Sequence, residues 1–380
     1  MSWLPSGAGH LRDYLRFLAL PLPQRRLVVY SEGPAYWPHL GPVVDALLAR
    51  GGVALAYVSS HPHDPGLARQ HPALSTFMVG SGHVRTMFFS ALQADLVLMT
   101  MPDLNSFHIR RSARVGQYVY LHHALVSCHM VYRPGAFDHF DTVLCAGPHH
   151  ADELRALEQQ RGSAPKRLVP HGYGRLDTLL AAAATTPPPE RLVLVAPSWG
   201  PQGLLETRAD DLLQVLADTD WQVVVRPHPQ TVRLAPQALA CVQAWCRRSP
   251  RIQLDLGAAS HASLQRAAVM VSDWSGAAFD FALGFERPVL FIDVPRKVNN
   301  PDYTAIAAEP IEVFGRAQLG RVLAPDQLAL LPQALADLAA PDAARQARLQ
   351  AFRQRWVHHP GGSASAAADW LLQALPAGTR

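Results

Sequence analysis

Three segments place reactive side chains immediately after apolar runs. In Val271-Ser272-Asp273-Trp274-Ser275-Gly276-Ala277, a buried strand passes through hydroxyls and a glycine directly into an apolar helix. Free backbone N–H groups and the positive end of the helix dipole then meet at one point, which is an arrangement that binds phosphate. An ordinary N-cap uses the same residue types. Arg226-Pro227-His228-Pro229 closes a second run, Trp221 to Val225. Its two prolines fix the backbone around the imidazole, which suits binding of a diphosphate and protonation of a leaving phosphate oxygen. A histidine that merely caps its loop is the plainer alternative. In the N-terminal half, the run Gln117 to Leu121 delivers His122 and His123, followed by Ser127, His129, Tyr132 and Arg133. An imidazole titrates near ~6.5, so one placed where a hydroxyl enters can take its proton at neutral pH.

Other segments carry weaker signals. The chain has 18 histidines, so chance pairs such as His61/His63 and His149/His150 are expected, and none has the spacing of a zinc site. Ala196-Pro197-Ser198-Trp199 closes another apolar run, and His171-Gly172-Tyr173-Gly174 lacks the third glycine and downstream acid of a dinucleotide fingerprint. Neither a metal nor a redox cofactor is expected. Asp218-Thr219-Asp220 precedes a strand, the wrong end for a ligand site, and reads as a turn.

The elements that must hold these residues alternate along the chain. Strands are expected at Arg26 to Tyr30, Val53 to Ser59, Ala94 to Met101, Gln117 to Leu121 and Thr142 to Ala146. A second series follows at Leu192 to Ala196, Trp221 to Arg226, Ile252 to Leu256, Ala268 to Val271 and Pro288 to Asp293, with helical periodicity between. That alternation predicts βαβ units and parallel sheets. Leu179 to Glu190, with three consecutive prolines, reads as a stiff connector, so the domains are expected at 1–182 and 183–380, the second ending in a helical tail. The expected fold class is α/β: two doubly wound domains facing each other across a cleft, with ligand at the carboxyl ends of the strands.

Composition narrows the function classes. The 380 residues are 49% hydrophobic and 17% charged, enough for a large core. No apolar run reaches the roughly 18 to 20 residues of a spanning helix, and the first residues show no secretory cleavage pattern. The charge of +4 rests almost wholly on arginine, Lys166 and Lys297 being the two lysines. No dense basic run with interleaved aromatics points to nucleic acid; phosphate-bearing small molecules or an anionic membrane surface fit better. Around Tyr14 to Phe17 a basic amphipathic stretch suits either peripheral lipid contact or a helix packed on the C-terminal domain. Cys128, Cys145, Cys241 and Cys246 form no CxxC pair and read as reduced thiols of a cytoplasmic protein.

Taken together, APSW at Ala196 to Trp199, RPHP at Arg226 to Pro229, and SDWSGAAFDF at Ser272 to Phe281 followed by RPVLFID at Arg287 to Asp293 resemble the CDP-glycerol glycerophosphotransferase family. Its members carry similar APTW, RxHP and SDYSS motifs in this order. Leu121-His122-His123 stands where the family has a tryptophan-histidine-glycine motif, and His122 falls on the family's catalytic histidine. The resemblance implies a GT-B arrangement of two Rossmann-like domains and metal-independent transfer of glycerol phosphate, or a related polyol phosphate, from a CDP-linked donor, with release of CMP. The acceptor would be a hydroxyl of a cell-envelope glycan or lipid-linked molecule at the inner face of the plasma membrane. On that reading His122 is the general base and His228 acts on the diphosphate or the leaving CMP. Arg226, Ser198, Ser272, Asp273, Ser275 and Gly276 hold the donor, and His123, Arg133 and His171 serve the acceptor side. Two alternatives stay open: a GT-B glycosyltransferase using a nucleotide sugar, and a non-catalytic relative that binds an envelope precursor or a partner protein.

Overall fold

The computed structural model describes residues 6–106, 109–257 and 261–376. Its chain forms two compact units, the first from the described residues of Met1–Ala124, Tyr132–Arg175 and Val357–Arg380, the second from Leu125–Val131 and Leu176–Trp356. Strands β1 (Leu27–Ser31), β2 (Leu55–Ser59), β3 (Leu74–Met78), β4 (Ala94–Met99), β5 (Val115–Leu121), β6 (Thr142–Cys145) and β7 (Arg167–Pro170) belong to the first. Strands β8 (Leu192–Val195), β9 (Gln222–Val225), β10 (Ile252–Leu254), β11 (Val269–Ser272), β12 (Val289–Ile292) and β13 (Gly320–Leu323) belong to the second. The helices in chain order are α1 (Ser6–Ala19), α2 (Trp37–Arg50), α3 (His83–Ala91), α4 (Cys128–Val131), α5 (Pro148–Arg161), α6 (Gly174–Ala183), α7 (Leu204–Ala217) and α8 (Pro229–Leu234). They continue with α9 (Pro236–Arg248), α10 (Ala262–Arg266), α11 (Gly276–Phe285), α12 (Ile311–Leu319), α13 (Leu331–Ala339), α14 (Ala343–Trp356) and α15 (Ser363–Ala374). No helix among the described residues is long and apolar enough to cross a membrane.

The first unit's sheet has the order β3-β2-β1-β4-β5-β6-β7, every pairing parallel. Central strands covered on both faces must be apolar throughout, and Leu27-Val28-Val29-Tyr30-Ser31 is buried at every position. The chain winds outward from β1 to β3, returns to pair β4 with β1, and winds the other way. Leu40, Val43, Val44 and Leu47 of α2 pack in one core with Ala367, Ala368 and Leu371 of α15, and Arg50 bonds Asp369 at 2.6 Å. The C-terminal helix therefore belongs to the first unit, not to the second as its position suggested: periodicity marks an apolar face without naming its partner. Helix α1 likewise stays in the first unit, where Phe17 meets Phe77 and Phe88 edge-on at 5.5 and 4.9 Å.

The second sheet repeats the winding in the order β10-β9-β8-β11-β12-β13, again all parallel. Its reversal lies between β8 and β11. Passage from one unit to the other falls at Arg175 and Leu176, inside α6, whereas the sequence suggested 182 and 183 at that helix's end. Residues 125–131 join the second unit although they follow β5 of the first.

Candidate functional site

In the second unit four adjacent strands, β9, β8, β11 and β12, end side by side, and the loops that follow carry most of the expected donor-side residues. Asp273 is fully buried, and its carboxylate accepts from the backbone N–H of Ser198 at 2.6 Å and of Leu204 at 3.2 Å. Ser272 donates its hydroxyl to the Ala196 carbonyl at 2.9 Å. These two residues, expected to hold phosphate, spend their polar atoms fastening the loop after β8 to the loop after β11. The physical reason is plain for Asp273, since a carboxylate repels phosphate but is a strong acceptor for buried amides. Ser275 is the N-cap of α11, accepting from Ala277 N–H at 3.3 Å, and Gly276 opens the helix. Trp274 donates its indole N–H to the Val294 carbonyl at 2.8 Å and lies under the Arg316 guanidinium, 3.5 Å from the ring centre.

His228 is half-buried at the start of α8. Its Nδ1 accepts the Gln230 N–H at 3.1 Å, so the ring is the tautomer with its proton on Nε2. Burial first, then the nearby Lys297 charge, lowers its pKa to about 4. At neutral pH His228 is thus an uncharged N–H donor, suited to bonding a phosphate oxygen rather than to giving up a proton from an imidazolium. Arg226 bonds the Gly257 carbonyl at 2.5 Å and faces Ser263 and Asp255 at 3.4 and 3.9 Å, because β10 lies beside β9 and its loop arrives there.

Lys297, in the loop after β12, lies over the Trp199 ring with Nζ 4.2 Å from its centre. Burial lowers its pKa to about 8, against the attraction of Asp273 and Glu206. Trp199 also faces His228, ring centres 5.9 Å apart. Ser198, Trp199 and Lys297 line an open cavity of about 280 Å³ together with residues 200–203, 294–296, 298 and 299. Sequence reasoning missed Lys297; its rarity, one of two lysines among 34 cationic residues, was the available signal.

In the first unit the expected residues gather at the ends of β5, β6 and β7. His122 is buried and stacks on His150 with ring centres 3.9 Å apart and planes at 18°; Phe137 and Tyr120 flank it at 5.4 and 5.0 Å. Burial, reinforced by His150, His123, His149 and His171, holds its pKa well below the usual imidazole value. His123 lies edge-on to Tyr36 and to His39 at 5.5 and 5.6 Å, its Nδ1 3.3 Å from the Tyr120 hydroxyl, and burial lowers its pKa to about 4. His171 donates from Nδ1 to the Ser363 carbonyl at 3.1 Å and is also lowered to about 4, chiefly by burial. Gly172 beside it has φ +109°, and a Cβ there would stand 2.3 Å from the His358 carbonyl oxygen, so only glycine fits. Arg133 is exposed and reaches toward Asp103 at 3.6 Å. A carboxyl that sequence reasoning did not single out, Glu32, sits just after β1, and burial raises its pKa to about 7. Asp218 and Asp220 precede β9, where Asp220 pairs with Arg191 at 2.6 Å, as a turn at the amino ends of the strands requires.

No protein-family model matches the sequence, and no curated protein matches it. Solved structures do. The wall teichoic acid polymerase TagF superposes with a TM-score of 0.61 at 14% identity, covering 96% of this chain and 93% of that one. A structure of TagF treated with CDPG gives 0.60 at 15% identity with the same coverage. A putative UDP-N-acetylglucosamine 2-epimerase from Listeria monocytogenes gives 0.59 at 14% identity, covering 91% and 95%. UDP-GlcNAc 2-epimerase of Methanocaldococcus jannaschii, in complex with UDP-GlcNAc and UDP, gives 0.55 at 10% identity, covering 91% and 98%. The chain thus has the GT-B-like fold of these proteins, two Rossmann-like doubly wound units with C-terminal helices, and TagF is among the structures it resembles.

Proposed function

We propose that the chain is a transferase that moves glycerol phosphate, or a related polyol phosphate, from a CDP-linked donor to a hydroxyl of a cell-envelope glycan or lipid-linked acceptor. The acceptor oxygen attacks the phosphorus bearing the polyol, its proton passing to a base, and the P–O bond to CMP breaks with its electrons leaving on CMP. The observation that carries this reading is the group of Lys297, His228 and the N-terminus of α11 around the loops after β8, β9, β11 and β12: one cation, one neutral N–H donor and the positive end of a helix dipole. Phosphoryl transfer asks chiefly for such positioning and charge stabilisation. Asp273 and Ser272 fix the loops that present these groups, Ser198 lines the cavity, and Arg226 adds positive charge beside them. His122, in base form at neutral pH, holds the position that the family resemblance gives the catalytic histidine. No cofactor or resident metal enters this reading.

The fold likeness to TagF supports the donor class, and the likeness to a structure holding UDP-GlcNAc and UDP favours a second reading, transfer from a nucleotide sugar. Melting curves separate them. Stabilisation by CDP-glycerol and CMP but not by UDP or GDP sugars is the expected result, and the reverse ranking would overturn the first reading. We assign the work to the cytoplasmic face of the membrane, with α1 as the contact: Leu11 and Leu15 are 42% and 55% exposed beside Arg12 and Arg16. Sedimentation with vesicles containing anionic lipid should fall when both leucines become serine.

A further inference from the structure

Glu32 stands one residue beyond β1, where the winding of the first sheet reverses: β2 and β3 lie to one side, β4 to β7 to the other. In doubly wound sheets, ligands bind outside the strand ends at that reversal. Its Oε2 is buried without a hydrogen-bond partner, and Tyr36 lies beside the carboxylate. Tyr36 in turn lies against His123, and His123 against His39 and the Tyr120 hydroxyl. A buried acceptor atom left open in a polar cluster is a place for a donor from a substrate.

Resting on the transferase reading above, we propose that Glu32 binds the acceptor hydroxyl and is the base that takes its proton. The acceptor O–H bond breaks, its electron pair forms the new O–P bond, the proton goes to Oε2 of Glu32, and the P–O bond to CMP breaks with its electrons on the nucleotide. The titrations agree with this division of labour. Tyr30 on β1, Tyr36 in the following turn and Arg85 on α3 face Glu32; burial outweighs the lowering by Arg85 and Tyr36 and holds the carboxyl at about 7. The imidazoles of the same unit move the other way, His123 to about 4 and His122 well below its usual value, which makes them weak bases. Groups driven apart in this manner mark acid–base roles.

The test is CMP release from CDP-glycerol with glycerol and short glycans as acceptors, measured from pH 5 to 9 and paired with melting curves in CMP. The parent should show an acid limb in kcat/KM near pH 7. Glu32→Gln should retain the CMP-induced melting shift, lose about 10²–10⁴-fold in turnover and lose the limb, while Glu32→Asp recovers part of the rate with the limb present. Turnover of E32Q within twofold of the parent, or a parent limb below pH 5, overturns the assignment and leaves the transferase reading standing; the parent profile decides even if E32Q does not fold. A parent that responds to CMP but turns over no acceptor also removes it. Absence of both turnover and the CMP shift removes the assignment together with the transferase reading.

Discussion

Both sheets wind outward from one strand and reverse beside it, β1 with β4 and β8 with β11, yet the residues gathered at the two reversals differ in kind. At the second, polar side chains are spent on backbone: Asp273 on Ser198 and Leu204, Ser272 on Ala196, Trp274 on Val294. What remains turned outward is Lys297 over Trp199 and the Nε2–H of His228. At the first, Glu32, whose carboxyl burial raises to about 7, lies beside Tyr36, and Tyr36 lies against the buried His123, lowered to about 4. On the proposed reading, the same topology carries a place for negative charge in one unit and a place for a proton in the other. Burial alone drives most of the difference, because it lowers imidazole and ammonium groups and raises a carboxyl.

Removing the loop tie should break the second site most severely. Asp273→Ala leaves two buried N–H groups without an acceptor, so denaturant unfolding should show a loss of about 2 to 4 kcal/mol, with the nucleotide-induced melting shift gone. A loss below about 0.5 kcal/mol, typical of neutral surface changes, would show that Asp273 does not fasten these loops. A subtler change sharpens the contrast of charge. Lys297→Met keeps the packing on Trp199 while deleting the cation, and calorimetric affinity for CDP-glycerol should weaken about tenfold, or about 1.4 kcal/mol. Equal affinity would take Lys297 out of the site.

The buried imidazoles and the buried carboxyl should also respond to pH with opposite signs. His171 has a folded pKa of about 4, below its unfolded value, so the unfolded chain binds more protons between ~6.5 and 4. Its share of stability is full above that window and is lost as pH falls through it; His123 and His228 act alike. Glu32, raised to about 7, contributes fully below its unfolded value near 4.5 and loses its contribution as pH rises to 7. Denaturation midpoints of His171→Gln should therefore fall less steeply from pH 6.5 to 4 than those of the parent, and an unchanged slope would contradict the buried neutral ring. The smallest effect belongs to Asp220→Asn. Although Asp218-Thr219-Asp220 has the look of a metal motif, it lies at the opposite strand ends, paired with Arg191 in solvent. Turnover and nucleotide binding should match the parent; a clear loss would move the donor site.

How much of this was legible in the sequence depends on burial. The inner strands announce themselves because both faces are covered, as in Leu192-Val193-Leu194-Val195 and Val289-Leu290-Phe291-Ile292, buried at every position. Leu74–Met78, Arg167–Pro170 and Gly320–Leu323 escaped notice, and all three are edge strands with partly exposed residues and no continuous apolar run. The SDWSG turn was visible as a strand running into a helix. That Asp273 points back to Ser198 was not, because an inward and an outward carboxylate share one sequence. Lys297 and Trp199 meet only through the side-by-side ends of β12, β11 and β8, a relation that strand order creates. Glu32 is marked by no motif; it matters through its place at the reversal beside β1.

The most direct test follows the His228 ring by nitrogen-detected NMR as CDP-glycerol is added at pH 7. The account predicts a neutral ring protonated on Nε2, whose Nε2 resonance shifts saturably with the donor. A ring already charged without ligand, or an Nε2 signal unmoved at donor concentrations that raise the melting temperature, would contradict it.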